Sequence, residues 1–429
     1  MQTYKPISRR NGKMPITFSL FFAIIITARI FLPIVNIMIS GLAYEVLFVL
    51  WLASALLGYW NDLRFDGRMM FLFVFPFIYI VYILISNTLA GAIYVNDFLY
   101  FFNFCIPVYF LIIYSKTDPK KLYTLAMFGV LCLFTTSLTT IYYLKENYYY
   151  SKLISREGGE YLDLWSKNIA NINVVSSSVI IIPLVIYILI NYSGKTALKL
   201  FYLMILIVLS ILVFEASFSL IILCTAIGIV LVLSKKKILN VIIIMSFVLI
   251  GLFKNDVMNY IISISGNFNP LYSQRLAEIA LLILGKDAQG DLFNRFAIYS
   301  KSFQYFLDHP FLGLGTGEYF ARSWVLGYHS ELLDSLARYG LLMFIPITIY
   351  FAQIYKIIAQ HIDDLRHNRI LVTSYILFFL YAMVNILFTS ASFAFALFVM
   401  LPSVNFMISA EKRLESQEIN FGRGKSLVK

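Results

Sequence analysis

The chain has 429 residues, 60% of them hydrophobic and only 13% charged, with a mean hydropathy of +0.80, which excludes an ordinary soluble domain. Its formal net charge of +11 is scattered over short loops rather than gathered into one patch, which argues against a nucleic-acid partner. Cys105, Cys132 and Cys224 all lie inside apolar runs, so no disulfide framework is expected.

Apolar runs of roughly 17–25 residues recur along the whole length, enough to cross about 30 Å of hydrocarbon, and they lack the alternation of barrel strands. The fold class read from this pattern is all-α: a polytopic helical membrane protein, one integral membrane domain over residues 1–429, with about twelve spans. The first, Ile16–Met38, follows Lys5, Arg9, Arg10 and Lys13 and is too long for a cleaved signal, so it reads as a retained span. Next come Ala43–Trp60, Met69–Ser86, Phe98–Tyr114, Leu122–Tyr143, Asn168–Ile190, Leu198–Phe214, Phe218–Leu233 and Ile238–Phe253. The last three are Leu341–Ile358, Ile370–Phe388 and Ala391–Ile408. An even number puts both termini on one side. The N-tail, Arg64/Arg68, Lys116/Lys120/Lys121, Lys195/Lys199, Lys235–Lys237, Lys356/Arg366/Arg369 and the C-tail share that side, which the positive-inside rule makes cytoplasmic. Two long loops, 145–167 and 254–333, then fall on the extracytoplasmic face. Long loops with aromatic and apolar content are expected to be functional.

These loops carry Arg156, Arg275, Arg295 and Arg322, and Arg338 follows just past the second. A guanidinium offers a planar fork of donors suited to phosphate, and Arg156 and Arg295 stand out because each precedes an apolar element. The plainer alternative for any of them is a lipid headgroup or a loop carboxylate. His329, at a loop-to-helix junction, has the chemistry of a general base; its alternative is an interfacial histidine satisfying a backbone group. Glu331 and Asp334 follow within a helical turn and are placed to orient it or to meet a substrate. No His-x-x-x-His or outer Asp-x-Asp spacing points to a metal, and no cofactor motif is recognised. Gly313-Leu-Gly-Thr-Gly317 lacks the strand and the Lys-Ser/Thr of a phosphate loop. It reads instead as a tight turn after Pro310, with glycine supplying positive φ.

Arg295…His309-Pro310-Phe-Leu-Gly313-Leu-Gly315-Thr-Gly317, followed by His329-Ser-x-Leu-x-x-x-Leu-Ala-x-x-Gly340, resembles the signature of the O-antigen ligase and polymerase superfamily. Ser155-Arg156-x-Gly158…Asn168 is similar to that family's entry into the following span. The likeness is specific between about Arg275 and Gly340 and diffuse elsewhere. Ser217 is followed by Phe218 where ligases usually carry arginine, which favours a Wzy-type polymerase over an O-antigen ligase. The resemblance implies a bacterial inner-membrane enzyme that joins polyprenyl-diphosphate-linked oligosaccharide units into O-antigen or a related surface polysaccharide by inverting, metal-independent glycosyl transfer. It implies catalytic roles for His329 and Arg295, with Arg156, Arg275, Arg322, Glu331 and Asp334 contacting diphosphate or glycan. The implied partners are the lipid-linked glycan, the bilayer and a chain-length regulator protein. A twelve-span polysaccharide or lipid transporter is the alternative from another class; it would place charge near the midplane in broken helices.

Overall fold

A computed structural model describes residues 13–60, 63, 67–89, 95–157, 162–192, 194–216, 219–233, 291–314, 329–361 and 368–408, with scattered positions between 256 and 284. The expected span Ile238–Phe253, Arg275, Arg322, Gly315 and Gly317 lie outside the described residues, as does the side chain of Arg156. Among the described residues all regular structure is helical.

In chain order the first helices are α1 (Lys13–Phe31), α2 (Pro33–Met38), α3 (Gly41–Tyr59), α4 (Gly67–Leu89), α5 (Val95–Thr117) and α6 (Pro119–Leu144). The first long loop carries α7 (Tyr150–Glu157) and α8 (Leu162–Ser166), followed by α9 (Ile172–Ser176), α10 (Ser178–Asn191), α11 (Thr196–Glu215) and α12 (Ser219–Leu233). The second long loop contains α13 (Asp291–Asp308). After it come α14 (Glu331–His361), α15 (Asn368–Val384) and α16 (Ala391–Phe395), the last continuing through a π-helical turn at Ala396–Met400. Among the described residues six helices are long and apolar enough to cross a membrane: α3, α4, α6, α9–α10 taken together, α11 and α14; five shorter apolar helices accompany them. The chain therefore has the character of an all-α membrane-spanning protein.

Three expected spans take a different form. Ile16–Met38 breaks between Phe31 and Pro33, because proline has no N–H and disfavours helix in the residue before it. Leu32 is accordingly extended (φ −104°, ψ 102°). The segment expected to begin a span at Asn168 starts its helix only at Ile172, and Asn168 itself is left-handed (φ 56°). The span expected from Leu341 belongs to a helix that starts at Glu331, close to the expected junction at His329, and kinks at Gly340 (φ 57°, ψ −167°).

The break at Pro33 is covered by hydroxyls and one amide. Phe31 O accepts from Thr136 Oγ1 at 2.8 Å, and Ile34 N donates to Asn168 Oδ1 at 3.4 Å. Asn168 Nδ2 donates to Thr136 Oγ1, while Thr139 Oγ1 donates to Asn168 O. Such side chains re-satisfy backbone groups that an apolar surround would otherwise leave costly. Arg29, the basic residue deepest in an expected span, closes α1: its Nε donates to Ile39 O at 3.2 Å and its guanidinium lies 3.9 Å from the Tyr44 ring centre.

The core runs along α16. Phe393 to Leu401 are fully buried, and α5, α6 and α10 pack around them. Gly129 of α6 permits this approach, since a Cβ there would stand 2.7 Å from the Phe395 ring. By contrast α3, α4 and α11 expose apolar residues along one side, as helices facing lipid do.

Candidate functional site

α14 is two arms joined at Gly340. A straight helix would hold Glu331 about 30 Å from Phe351. Instead both line one cavity of roughly 270 Å³, and Phe388, whose N–H donates to Glu331, has its ring 5.9 Å from that of Phe351. The arm Glu331–Tyr339 is thus folded over against the rest of the helix.

The turn at Pro310–Leu314 is inserted into the bend. Leu341 N donates to Pro310 O (2.8 Å) and Leu342 N to Phe311 O (3.0 Å), so loop carbonyls cap the first amides after the break. In return Leu314 N donates to Ala337 O at 2.9 Å. Both facing glycines have positive φ, 69° at Gly313 and 57° at Gly340. A Cβ on Gly313 would stand 2.4 Å from Arg338 O, and one on Gly340 2.3 Å from Phe311 O. Gly313 and Gly340, both in the sequence signature, are the two halves of one joint. The positive φ expected of the turn is found at Gly313.

α13 lies parallel to the first arm of α14. Tyr299 Oη donates to His329 O (3.1 Å), and Ser302 Oγ donates to Asp334 Oδ1 (3.1 Å). Asp334 is fully buried, and its other oxygen accepts from the backbone N–H of His329 and Ser330, each at 3.3 Å. Ser330 caps the arm, its Oγ accepting from Leu333 N. Glu331 is buried as well: Oε2 accepts from Leu387 N and Phe388 N at 3.0 Å each, and Oε1 from Ser335 Oγ. Both carboxylates therefore spend their oxygens on the segments that frame His329. The half-buried His329 stands at the N-terminal end of the arm.

Arg295 reaches the same place from α13. Its Nη1 donates to Val384 O at 3.4 Å, the carbonyl that Tyr299 Oη also meets at 3.3 Å. That carbonyl ends α15, where the helix dipole favours a cation. Arg338, buried beside the Gly340 bend, interacts electrostatically with Glu331. Asn385, just past α15, accepts from Glu331 N at 3.0 Å, and its amide donates to Tyr381 Oη.

The cavity between the two arms and α15 is walled by Phe344, Ile347, Phe351, Phe378, Leu387 and Phe388, with Glu331 and Ser335 at its polar edge. The second expected site segment, α7, packs on α6 and α9. α9 is tied to the stretch after Phe388, because Ser390 Oγ donates to Asn173 O (2.9 Å) and lies 3.0 Å from Ser176 Oγ. The helix bearing Arg156 is thereby joined to the chain that frames Glu331.

The structure thus brings Arg295, His329, Glu331 and Asp334 into one cluster. Sequence reading missed Tyr299 and Ser302. Their signal is spacing: Arg295, Tyr299 and Ser302 share one side of a helix at i, i+4 and i+7. No protein-family model matches the chain, and no curated protein matches it.

Proposed function

We propose that the protein is a polymerase of polyprenyl-diphosphate-linked oligosaccharides, a glycosyltransferase of a bacterial inner membrane with twelve spans, both termini cytoplasmic and the site on the outer face. The observation that carries this reading is the placing of basic groups and an apolar cavity along one short arm. Arg295 and His329 stand at one end of the arm Glu331–Tyr339 and Arg338 at the other, and Glu331, Leu332 and Ser335 of the same arm line an apolar cavity. An amphiphile with an anionic head and a hydrocarbon chain fits such a boundary.

In the proposed reaction the acceptor sugar hydroxyl attacks the anomeric carbon of the donor, and the bond from that carbon to the diphosphate oxygen breaks with inversion. The hydroxyl proton passes to the His329 imidazole, and the polyprenyl diphosphate leaves with the electron pair. Arginine charge stabilises that leaving group, Arg295 and Arg156 being the assigned pair. Arg275 and Arg322 contact glycan or diphosphate. Asp334 holds the backbone N–H groups of His329 and Ser330, and Glu331 those of Leu387 and Phe388, so both carboxylates are assigned a positioning role in place of the substrate contact expected of them. A chain-length regulator protein is the proposed partner.

One observation favours a second reading, transport of a lipid-linked glycan: the helix broken at Gly340 lies among charged residues. Replacement of His329 separates the two. In cells lacking the native copy, His329→Ala should give single repeat units at the surface in place of a ladder, at normal membrane abundance. Removing a general base costs about 10²–10⁴ in rate. Loss of all surface glycan supports transport instead, and a normal ladder at normal abundance removes His329 from the mechanism.

A further inference from the structure

We propose that α13 and the turn after it form a lipid-contacting surface, the helix lying along the membrane boundary with Phe303, Leu307, Phe311 and Leu312 immersed in the bilayer. This rests on the membrane-spanning character of the chain and is independent of the catalytic reading.

The side chains of α13 sort into three stripes. Tyr299, Ser302 and Tyr305 face inward, the first two bonded to the arm of α14 and the third packed on Leu314 and Ala337. Lys301, Gln304 and Asp308 are exposed and lie within about 60° of one another around the axis. Phe303 and Leu307 form the third stripe, about 40° apart, exposed to 47% and 58%. Just beyond the helix end Phe311 and Leu312 are exposed to 73% and 63%. Scattered exposed apolar residues need no explanation, but a contiguous set on one side of a helix does. The division into a polar stripe and an apolar stripe is that of a helix lying in a membrane interface.

What covers the apolar stripe is shown by what it adjoins. Phe311 is bonded through its carbonyl to Leu342 N, and Leu342 is exposed on α14 together with Ile345 and Ile349. Tyr82 Oη of α4 donates to Leu312 O at 3.3 Å, and Val81 and Ile85 beside it are exposed. α4 and α14 are both of membrane-crossing length and composition. Their exposed apolar sides are the surface a bilayer solvates, and the turn extends that surface onto α13. Lipid is therefore the occupant, and α13 sets the depth of Tyr299 and Ser302 relative to it.

The test uses the full chain in phosphatidylcholine–phosphatidylglycerol vesicles. Single cysteines introduced as Phe303→Cys, Leu307→Cys and Leu312→Cys each carry a nitroxide. The native cysteines are buried, and each replaced side chain is exposed, so packing is preserved. Collision rates with oxygen, which concentrates in lipid, are compared with those of a water-soluble nickel chelate. Oxygen should prevail at all three positions, as at the reference Ile345→Cys, and nickel should prevail at Lys301→Cys. Nickel prevailing at Leu307 and Leu312 overturns the proposal in favour of a water-facing helix. Exclusion of both relaxants there overturns it in favour of a covering protein surface.

Discussion

The chain interrupts its helices at Pro33 and at Gly340, and the two interruptions are lined very differently. At Pro33 the freed backbone groups meet Thr136 and Asn168, neutral side chains that bond one another as well. At Gly340 they meet the backbone of a distant turn; Arg338 stands beside the bend, and the arm folded away from it carries Asp334 and Glu331, with Arg295 against its far end. Charged groups in or near hydrocarbon are expensive to keep. A break that needs only hydroxyls and an amide is sufficient for structure, as the first shows. The charges along the arm beyond the second exceed what the bend itself requires, and the proposed chemistry is assigned to that arm for this reason.

Three experiments can break or sharpen that contrast. The largest effect is expected at the joint. Gly340→Ala forces a Cβ into the Phe311 carbonyl and a side chain into a conformation that suits glycine almost alone. A loss of about 3 kcal/mol or more is expected, read as a lowered melting temperature in detergent. Unfolding like the wild type would mean that the turn does not hold the bend. Next is Asn168→Ala, which uncovers Ile34 N and removes an amide shared with Thr136. Stability should fall by about 1–3 kcal/mol while glycan ladder length per folded molecule stays unchanged. A shortened ladder at wild-type stability would dissolve the distinction between a structural break and a functional one.

The smallest effect belongs to Lys167, whose ammonium lies 3.1 Å from the Asp163 carboxylate on the exposed surface of the first long loop. Hydrogen bonding to Asp163 raises the Lys167 pKa above its ordinary value. The contribution is thus fully present at neutral pH and disappears only as pH rises through that raised value. Exposed pairs of this kind contribute little, so Lys167→Ala should leave the melting temperature at pH 7 within measurement error. A clear drop would show that this loop is anchored more tightly than its exposure implies.

Much of this was legible in the amino-acid pattern, and the parts that were not have physical causes. Runs such as Leu198–Phe214 announce a membrane-length helix by composition alone, and α11 follows that run closely. Gly313 after Pro310 announced a turn, because positive φ has few other solutions. Hydropathy made Ala391–Ile408 look like any other span, yet its central residues are wholly enclosed by protein. A bilayer and a protein interior are both apolar, so composition cannot distinguish them. Glu331 and Asp334 read as available carboxylates because sequence shows a side chain's chemistry and conceals its partners. Those partners, Leu387, Phe388 and Ser302, come from remote segments. Leu341 looked like the start of the span because the turns before it carry Glu331, Asp334 and Arg338, and the pattern does not show that the helix opening at His329 continues through Gly340 with a bend.

The bend at Gly340 also settles a question of hydrophobic matching. Unbroken, the 31 residues of α14 would make a rod of about 46 Å, well beyond the roughly 30 Å of a bilayer core, and such an excess is met by tilting or by local thickening of the lipid. With the arm Glu331–Tyr339 folded aside, Leu341–His361 is about 32 Å long and suits an undeformed membrane. One glycine thereby lets a single helix serve as both a transmembrane segment and a wall of the site, with no surplus length imposed on the surrounding lipid.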